Sequence, residues 1–181
     1  MEKKITTPLN DKMIKPLKAG DKVLISGVIY TARDAAHKRL ILDIKKLPIP
    51  LKDQIIYYCG PTPAMPGRVT GSAGPTTSGR MDGFTEPLLK AGVKGMIGKG
   101  PRSKEVRELI KKHKAVYFVA TGGAGALIAR HIKSSKVVAY PDLGPEAIYE
   151  FNVVDFPVIV ANDSKGRDIF EEGIKKYRKK K

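Results

Sequence analysis

Residues 71–80, GSAGPTTSGR, combine three glycines, a proline, two threonines, two serines and a closing arginine, and Met81, Asp82 and Gly83 follow at once. Glycine lets the backbone approach a ligand closely. Serine and threonine add hydroxyls, and arginine adds a planar fork of donors matched to a carboxylate or phosphate. The stretch reads as an anion-binding loop. The plain alternative is a flexible Gly/Ser linker, but linkers rarely carry Pro-Thr-Thr and a closing Arg-Met-Asp. The apolar run at 84–89 begins directly behind it, so the loop is expected to enter a helix whose first N–H groups can face an anion.

Other residue types suggest chemistry more weakly. Arg33 would lie in the first turn of an expected helix, where a cation opposes the helix dipole. An anion site would select it there, and a surface charge is the alternative. Lys99 sits in the Gly-Lys-Gly turn that ends GMIGKG at 95–100, presented on a close-approaching backbone. This is not a P-loop, because the spaced glycine and the hydroxyl residue after the lysine are missing. Cys59 is the single cysteine. It cannot form an internal disulfide or alone hold a zinc ion or iron–sulfur cluster, and with no histidine partner nearby, packing is favoured over a catalytic thiol. His37, His113 and His131 have no metal-ligand spacing. His37 stands one helical turn after Arg33 on the same face, either lining a site or solvated. The turn TGGAGAL at 121–127 fails the dinucleotide fingerprint at Ile128, leaving an anion-binding turn or packing as equal readings.

These residues need elements to hold them. Residues 22–31, KVLISGVIYT, alternate and are β-branched, which predicts a strand with a bulge at Gly27. Thr31 and Asp34 resemble a capping box for a helix with apolar positions at Ala35, Ala36, Leu40, Leu42 and Leu47. Short strands are expected at 55–58, within 95–98 and at 115–120, with an amphipathic helix at 103–113. Residues 136–140, 153–156 and 158–161 read as further strands, with a turn and short helix at 143–149 and a basic helix at 167–181. The alternation predicts a single α/β domain with a mixed sheet, several connections being too short for parallel crossovers. Residues 1–19 read as an arm or an added strand, and 20–181 as the domain with its basic C-terminal helix.

The chain has 181 residues, with 34 Lys and Arg against 18 Asp and Glu, a formal charge of +16. Nucleic acid, a small dianionic substrate and an acidic partner subunit would each be attracted. The lysines are scattered apart from KKYRKKK at 175–181, and no zinc-finger or RNP-type signature appears, which weighs against nucleic acid. The polar start MEKKITTPLN and the lack of a long apolar run predict a cytoplasmic protein with no membrane association.

Four segments together resemble the β subunit, or C-terminal domain, of the iron–sulfur-dependent fumarase and tartrate dehydratase family. They are ARDAAHKRL at 32–40, the GSAGPTTSGRMD loop, GMIGKG, and the stretch from DLGPEAIYE to VVDFPVIV at 142–160. The resemblance covers about residues 20–166; Pro145 departs from it, where a bulkier residue such as Met is expected, away from the proposed site. It implies a swivelling β/β/α domain closing over an active site shared with an α subunit, in an α2β2 assembly. That partner, not this chain, would hold a four-iron, four-sulfur cluster acting as Lewis acid on the departing hydroxyl. The substrate would be a hydroxy-dicarboxylate: malate, tartrate or a methylated relative. By resemblance Arg33, Arg80 and Lys99 take the carboxylate-binding positions, and Thr76 the catalytic, proton-handling one. A stand-alone anion-binding module and a nucleic-acid-binding protein are the competing readings.

Overall fold

A computed structural model describes residues 2–42, 44 and 46–179 of the chain. The expected strand at 22–31 is β2 (Lys22–Thr31). It pairs in parallel with β1 (Lys3–Thr6) over its first half and with β3 (Ile55–Tyr57) at its last two residues. Its opposite edge runs antiparallel to β7 (Ile148–Asn162). The β2–β7 register shifts between Ile25 and Gly27, where the bulge was expected. Gly27 has φ +110°, and a Cβ there would lie 2.4 Å from the Thr7 hydroxyl, so only glycine fits.

From β3 the sheet continues in parallel through β4 (Gly95–Gly98) and β5 (Val116–Val119), and β5 meets β7 antiparallel. Because β7 also pairs with β2, the circuit β2–β3–β4–β5–β7 closes on itself, with β1 and β6 (Ile132–Ala139) outside it. The sheet is mixed, as the short connections required. The segment expected at 153–156, with 158–161 continuing after Pro157, lies in one longer strand, β7, of 15 residues. Its first half pairs with β6 and its last residues with β5. Pro157 falls between those two partners, so its missing N–H removes a bond from neither ladder.

Alternation along β3 and β5 sends neighbouring side chains to two different cores. Tyr57 and Phe118 face an inner core with Ile25, Ile29, Phe151 and Phe156 of β2 and β7. Ile56 and Tyr117 face outward, under α2 (Asp34–Leu42), α3 (Asp82–Lys90) and α4 (Lys104–Lys112). The helices bury Ala36, Leu40, Leu88, Leu89, Val106 and Ile110 there, which makes the β/β/α layering. Residues 1–19 supply β1 and the short α1 (Asp11–Ile14) and send Ile5, Leu9, Ile14 and Leu17 into the inner core; Met1 lies outside the described residues.

Two local expectations are corrected. The Thr31 hydroxyl does not cap α2: it accepts the Tyr149 N–H at 3.0 Å, joining β2 to β7. The Glu146 carboxylate, distant in sequence, accepts the Ala35 N–H at 2.9 Å in its place. The helix also stops at Leu42, which is 84% exposed, and does not reach Leu47. Near the C-terminus α6 (Ile169–Tyr177) starts on an Asp168 cap; Lys180 and Lys181 of the basic tail lie outside the described residues. Among the described residues no helix is long and apolar enough to cross a membrane.

Candidate functional site

The four parallel strands β2 to β5 end at the same edge, and the segments singled out in the sequence follow those ends. Arg33 comes two residues after β2, Cys59 two after β3, Lys99 directly after β4, and Gly122 three after β5. In α/β sheets ligands bind outside the carboxyl ends of the strands, where the chain turns away and backbone groups lose their ladder partners.

The glycine-rich loop is laid across this edge by its backbone. The Thr76 N–H donates to the Tyr58 carbonyl at 2.7 Å, and the Thr76 carbonyl accepts the Lys99 N–H at 3.1 Å. The Ser78 N–H then donates to the Lys99 carbonyl at 2.9 Å, so the loop runs beside the end of β4 like a short added strand. A Cβ at Gly98 would lie 1.9 Å from the Ser78 hydroxyl, which explains the second glycine of GMIG. Thr76 is thereby fixed through its main chain and is half-buried. Among the described residues no hydrogen bond engages its hydroxyl, and the exposed Lys99 ammonium has no ionic partner.

A 3₁₀ turn at Ser78–Met81 carries the loop into α3, as expected from the apolar run. Asp82 anchors the junction. Its carboxylate accepts from Arg102 Nε at 2.6 Å and from the Ser103 N–H at 2.8 Å. Arg102 has a fully buried side chain, donates to Thr85 Oγ1 at 2.6 Å, and lies over the Tyr58 and Tyr117 rings. A buried guanidinium so paired specifies one loop position, since removing either partner strands a charge.

Arg80 leaves this turn and meets Asp34 at the start of α2. Its Nε donates to Oδ1 at 3.0 Å and its Nη2 to Oδ2. Asp34 also stands 3.6 Å from Arg33 Nε, so one carboxylate lies between the two arginines. Burial pushes the Asp34 carboxyl up, but the Arg80 hydrogen bond, a backbone hydrogen bond and the two arginine charges outweigh it and hold the group below 3.8. Arg33 Nη2 lies 3.6 Å from Glu146, and its buried Nε has no hydrogen-bond partner. Pro145 is not remote from this region. A Cβ on Gly60 would lie 2.8 Å from the Pro145 carbonyl and 2.9 Å from Arg33 Cδ, so the three pack together.

His37 is buried, not solvated, and lies between Tyr58 at 5.4 Å and Phe84 at 5.8 Å. Its Nδ1 is 2.8 Å from the Arg33 carbonyl, which can only accept, so Nδ1 carries the proton. Burial pulls its pKa from 6.5 down to about 4; the hydrogen bond to Arg33 opposes this, and the Arg102 charge assists it. Below pH 6.5 the unfolded chain binds a proton that the folded chain refuses. Stability is therefore expected to fall by about 3 kcal/mol between pH 6.5 and 4. Depressed carboxylates such as Asp34 lose their contribution only at lower pH, below their ordinary range. Urea denaturation at pH 7, 5.5 and 4 for wild type and His37→Leu checks this: the Leu variant should lose that slope.

Cys59 is a packing residue. It is wholly buried in the inner core, and burial pushes its thiol up to about 12, far from the thiolate a nucleophile or metal ligand needs. The turn at 121–127 leads into α5 (Gly125–Ala129), where a Cβ on Gly125 would lie 2.8 Å from the Gly74 nitrogen. Packing against the central loop accounts for that glycine.

The sequence reading missed Asp34, Asp82, Arg102 and Glu146 as builders of this edge. Asp34, Asp82 and Glu146 stood inside the quoted motifs, beside Arg33, after Arg80-Met81 and beside Pro145. Nothing local marked Arg102. A cavity of about 570 Å³, lined by Arg68, Arg130 and Lys133 among others, contains none of Arg33, Thr76, Arg80 and Lys99. The residues singled out in the sequence lie on the sheet edge and not in that cavity. Among the described residues no cluster of His, Cys, Asp or Glu could hold a metal ion.

Comparison with known proteins shows the family. The chain is 42% identical over 181 residues to a Methanocaldococcus jannaschii protein described provisionally as L(+)-tartrate dehydratase subunit beta, covering 95% of this chain and 93% of that one. It is 41% identical over 160 residues to the anaerobic class I fumarate hydratase of Escherichia coli K12, covering 86% of this chain but 29% of the enzyme. Fumarate hydratase 2 of Leishmania major is 37% identical over 158 residues, with 84% and 28% covered. The chain thus spans under a third of the fumarate hydratases and nearly all of the β-subunit relative. The profile of the Fumarase C-terminus family matches residues 2–173, nearly the whole length, and the chain belongs to that family.

Proposed function

We propose that this chain is the β-type subunit of a two-subunit hydro-lyase, a cytoplasmic enzyme that reversibly hydrates fumarate to L-malate. The supporting observation is that Arg33, Thr76, Arg80 and Lys99 all lie along the carboxyl edge of the parallel strands. In this reading Arg33, Arg80 and Lys99 bind the two substrate carboxylates and offset the charge that builds on one of them as the adjacent carbon loses its proton. Thr76 handles that proton through its unengaged hydroxyl. A threonine hydroxyl is a weak base, so a carboxylate of the partner α subunit would have to take the proton onward.

The four-iron, four-sulfur cluster belongs to that α subunit, in an α2β2 assembly. This chain's residues do not fit it, because the one thiol is core-packed and held protonated. The excess of 34 cationic over 18 anionic residues suits both a dianionic substrate and an acidic partner face. Tartrate is the second reading for the substrate, favoured by the near-full-length likeness to the tartrate dehydratase β subunit.

Reconstitution tests the proposal. The purified chain alone is expected to bind no iron and to hydrate nothing. Combined with an anaerobically reconstituted α subunit, it should turn over fumarate and malate, with tartrate and methylated diacids assayed beside them. Turnover or stoichiometric iron in the isolated chain would overturn the two-subunit reading. Activity on tartrate alone would move the assignment to the second substrate.

A further inference from the structure

We propose that Asp34 is a positioning residue that grips one edge of Arg80 and aims the other edge at a substrate carboxylate. The proposal rests on reading Arg80 as a carboxylate-binding residue. A guanidinium carries five N–H donors, arranged as a side edge of Nε with one Nη and an end edge of the two Nη groups. Asp34 takes the side edge, through Nε and Nη2. That leaves both Nη1 donors and one on Nη2, an end-on fork with the spacing of a carboxylate. The Arg80 side chain is 48% exposed, so this fork opens to a ligand, whereas Asp34 is only 28% exposed behind it.

The support behind Asp34 is rigid. It is the first residue of α2, whose next N–H is held by Glu146 at 2.9 Å and whose first turn closes through the His37 N–H on the Arg33 carbonyl at 2.8 Å. Arg80, by contrast, leaves a short turn behind a glycine-rich loop and would sample many rotamers without a partner. Asp34 also lies beside Arg33, so it offsets the repulsion of two cations brought to one place. The pairing spans 46 residues of sequence and ties the loop to the end of β2.

Steady-state kinetics of the reconstituted enzyme test this with Asp34→Ala, Asp34→Asn, Arg80→Ala and the double variant Asp34→Ala/Arg80→Ala. Asp34→Ala should raise KM about tenfold and lower kcat/KM about thirtyfold, with a far-UV spectrum like wild type. Asp34→Asn, which keeps one acceptor and the helix start, should recover part of that loss. In the Arg80→Ala background the further change of Asp34 to Ala should alter kcat/KM less than about threefold, because its partner is already gone. Equal losses in both backgrounds would show that Asp34 acts independently of Arg80 and overturn the proposal. A lower KM for Asp34→Ala would also overturn it, since Asp34 would then be competing with substrate. Wild-type kinetics for Arg80→Ala would sink the reading of the site itself, a failure distinct from the other two.

Discussion

Arg80→Lys is expected to lower kcat/KM by about a hundredfold or more, equivalent to about 3 kcal/mol of transition-state stabilisation. The charge survives this substitution and the geometry does not. Lysine is a point charge on a flexible stem, whereas Arg80 uses Nε and Nη2 on Asp34 at the same time as its end-on fork stays open. An ammonium drawn to Asp34 would be withdrawn from the substrate. The loop itself is held by Asp82, Arg102 and the Thr76 and Ser78 backbone bonds, so fold and partner affinity should be unchanged. Kinetics of the reconstituted Lys variant, with its circular dichroism and subunit titration as controls, decide the matter. Activity close to wild type would make Arg80 structural or peripheral.

Thr76→Val should abolish nearly all turnover, while Thr76→Ser should keep a substantial part. Both Thr76 backbone groups are engaged, by Tyr58 and Lys99, so valine can occupy the same place and differs by the missing oxygen. The loss should fall on kcat more than on KM, because Arg33, Arg80 and Lys99, in the proposed role of carboxylate binders, would still position the substrate. Exchange of the malate methylene proton with solvent at equilibrium, followed by NMR with the α subunit present, reads the proton path directly. If the Val variant exchanges that proton at the wild-type rate, Thr76 only shapes the loop and the base lies on the partner.

Much of the scaffold was legible in the chain because its causes are local. Alternation wrote out β2 to the residue, and Gly27 marked its bulge. The amphipathic run at 103–113 announced α4, and the glycine-rich composition of 71–80 with the apolar run behind it announced a loop entering α3. Cys59 at the end of a buried strand read as packing and is packed. The mixed sheet followed from connection lengths, since a short connection admits no parallel crossover.

What local pattern does not carry is which distant side chains meet. The continuity of β7 through Pro157 depends on where β6 hands over to β5, a fact about two other strands. The Thr31 hydroxyl had two plausible uses, and β7 took it while Glu146, 111 residues from Ala35, supplied the cap. His37 is dry because Tyr58 and Phe84 close over it, although its own helix face gives no sign of that. The meeting of Arg80 with Asp34, and the laying of Thr76 against Lys99, likewise follow from four strand ends arriving at one edge. Propensity and periodicity act over one or two turns of chain, whereas these contacts are selected by burial and hydrogen bonding between elements, which exist only once the circuit of strands has closed.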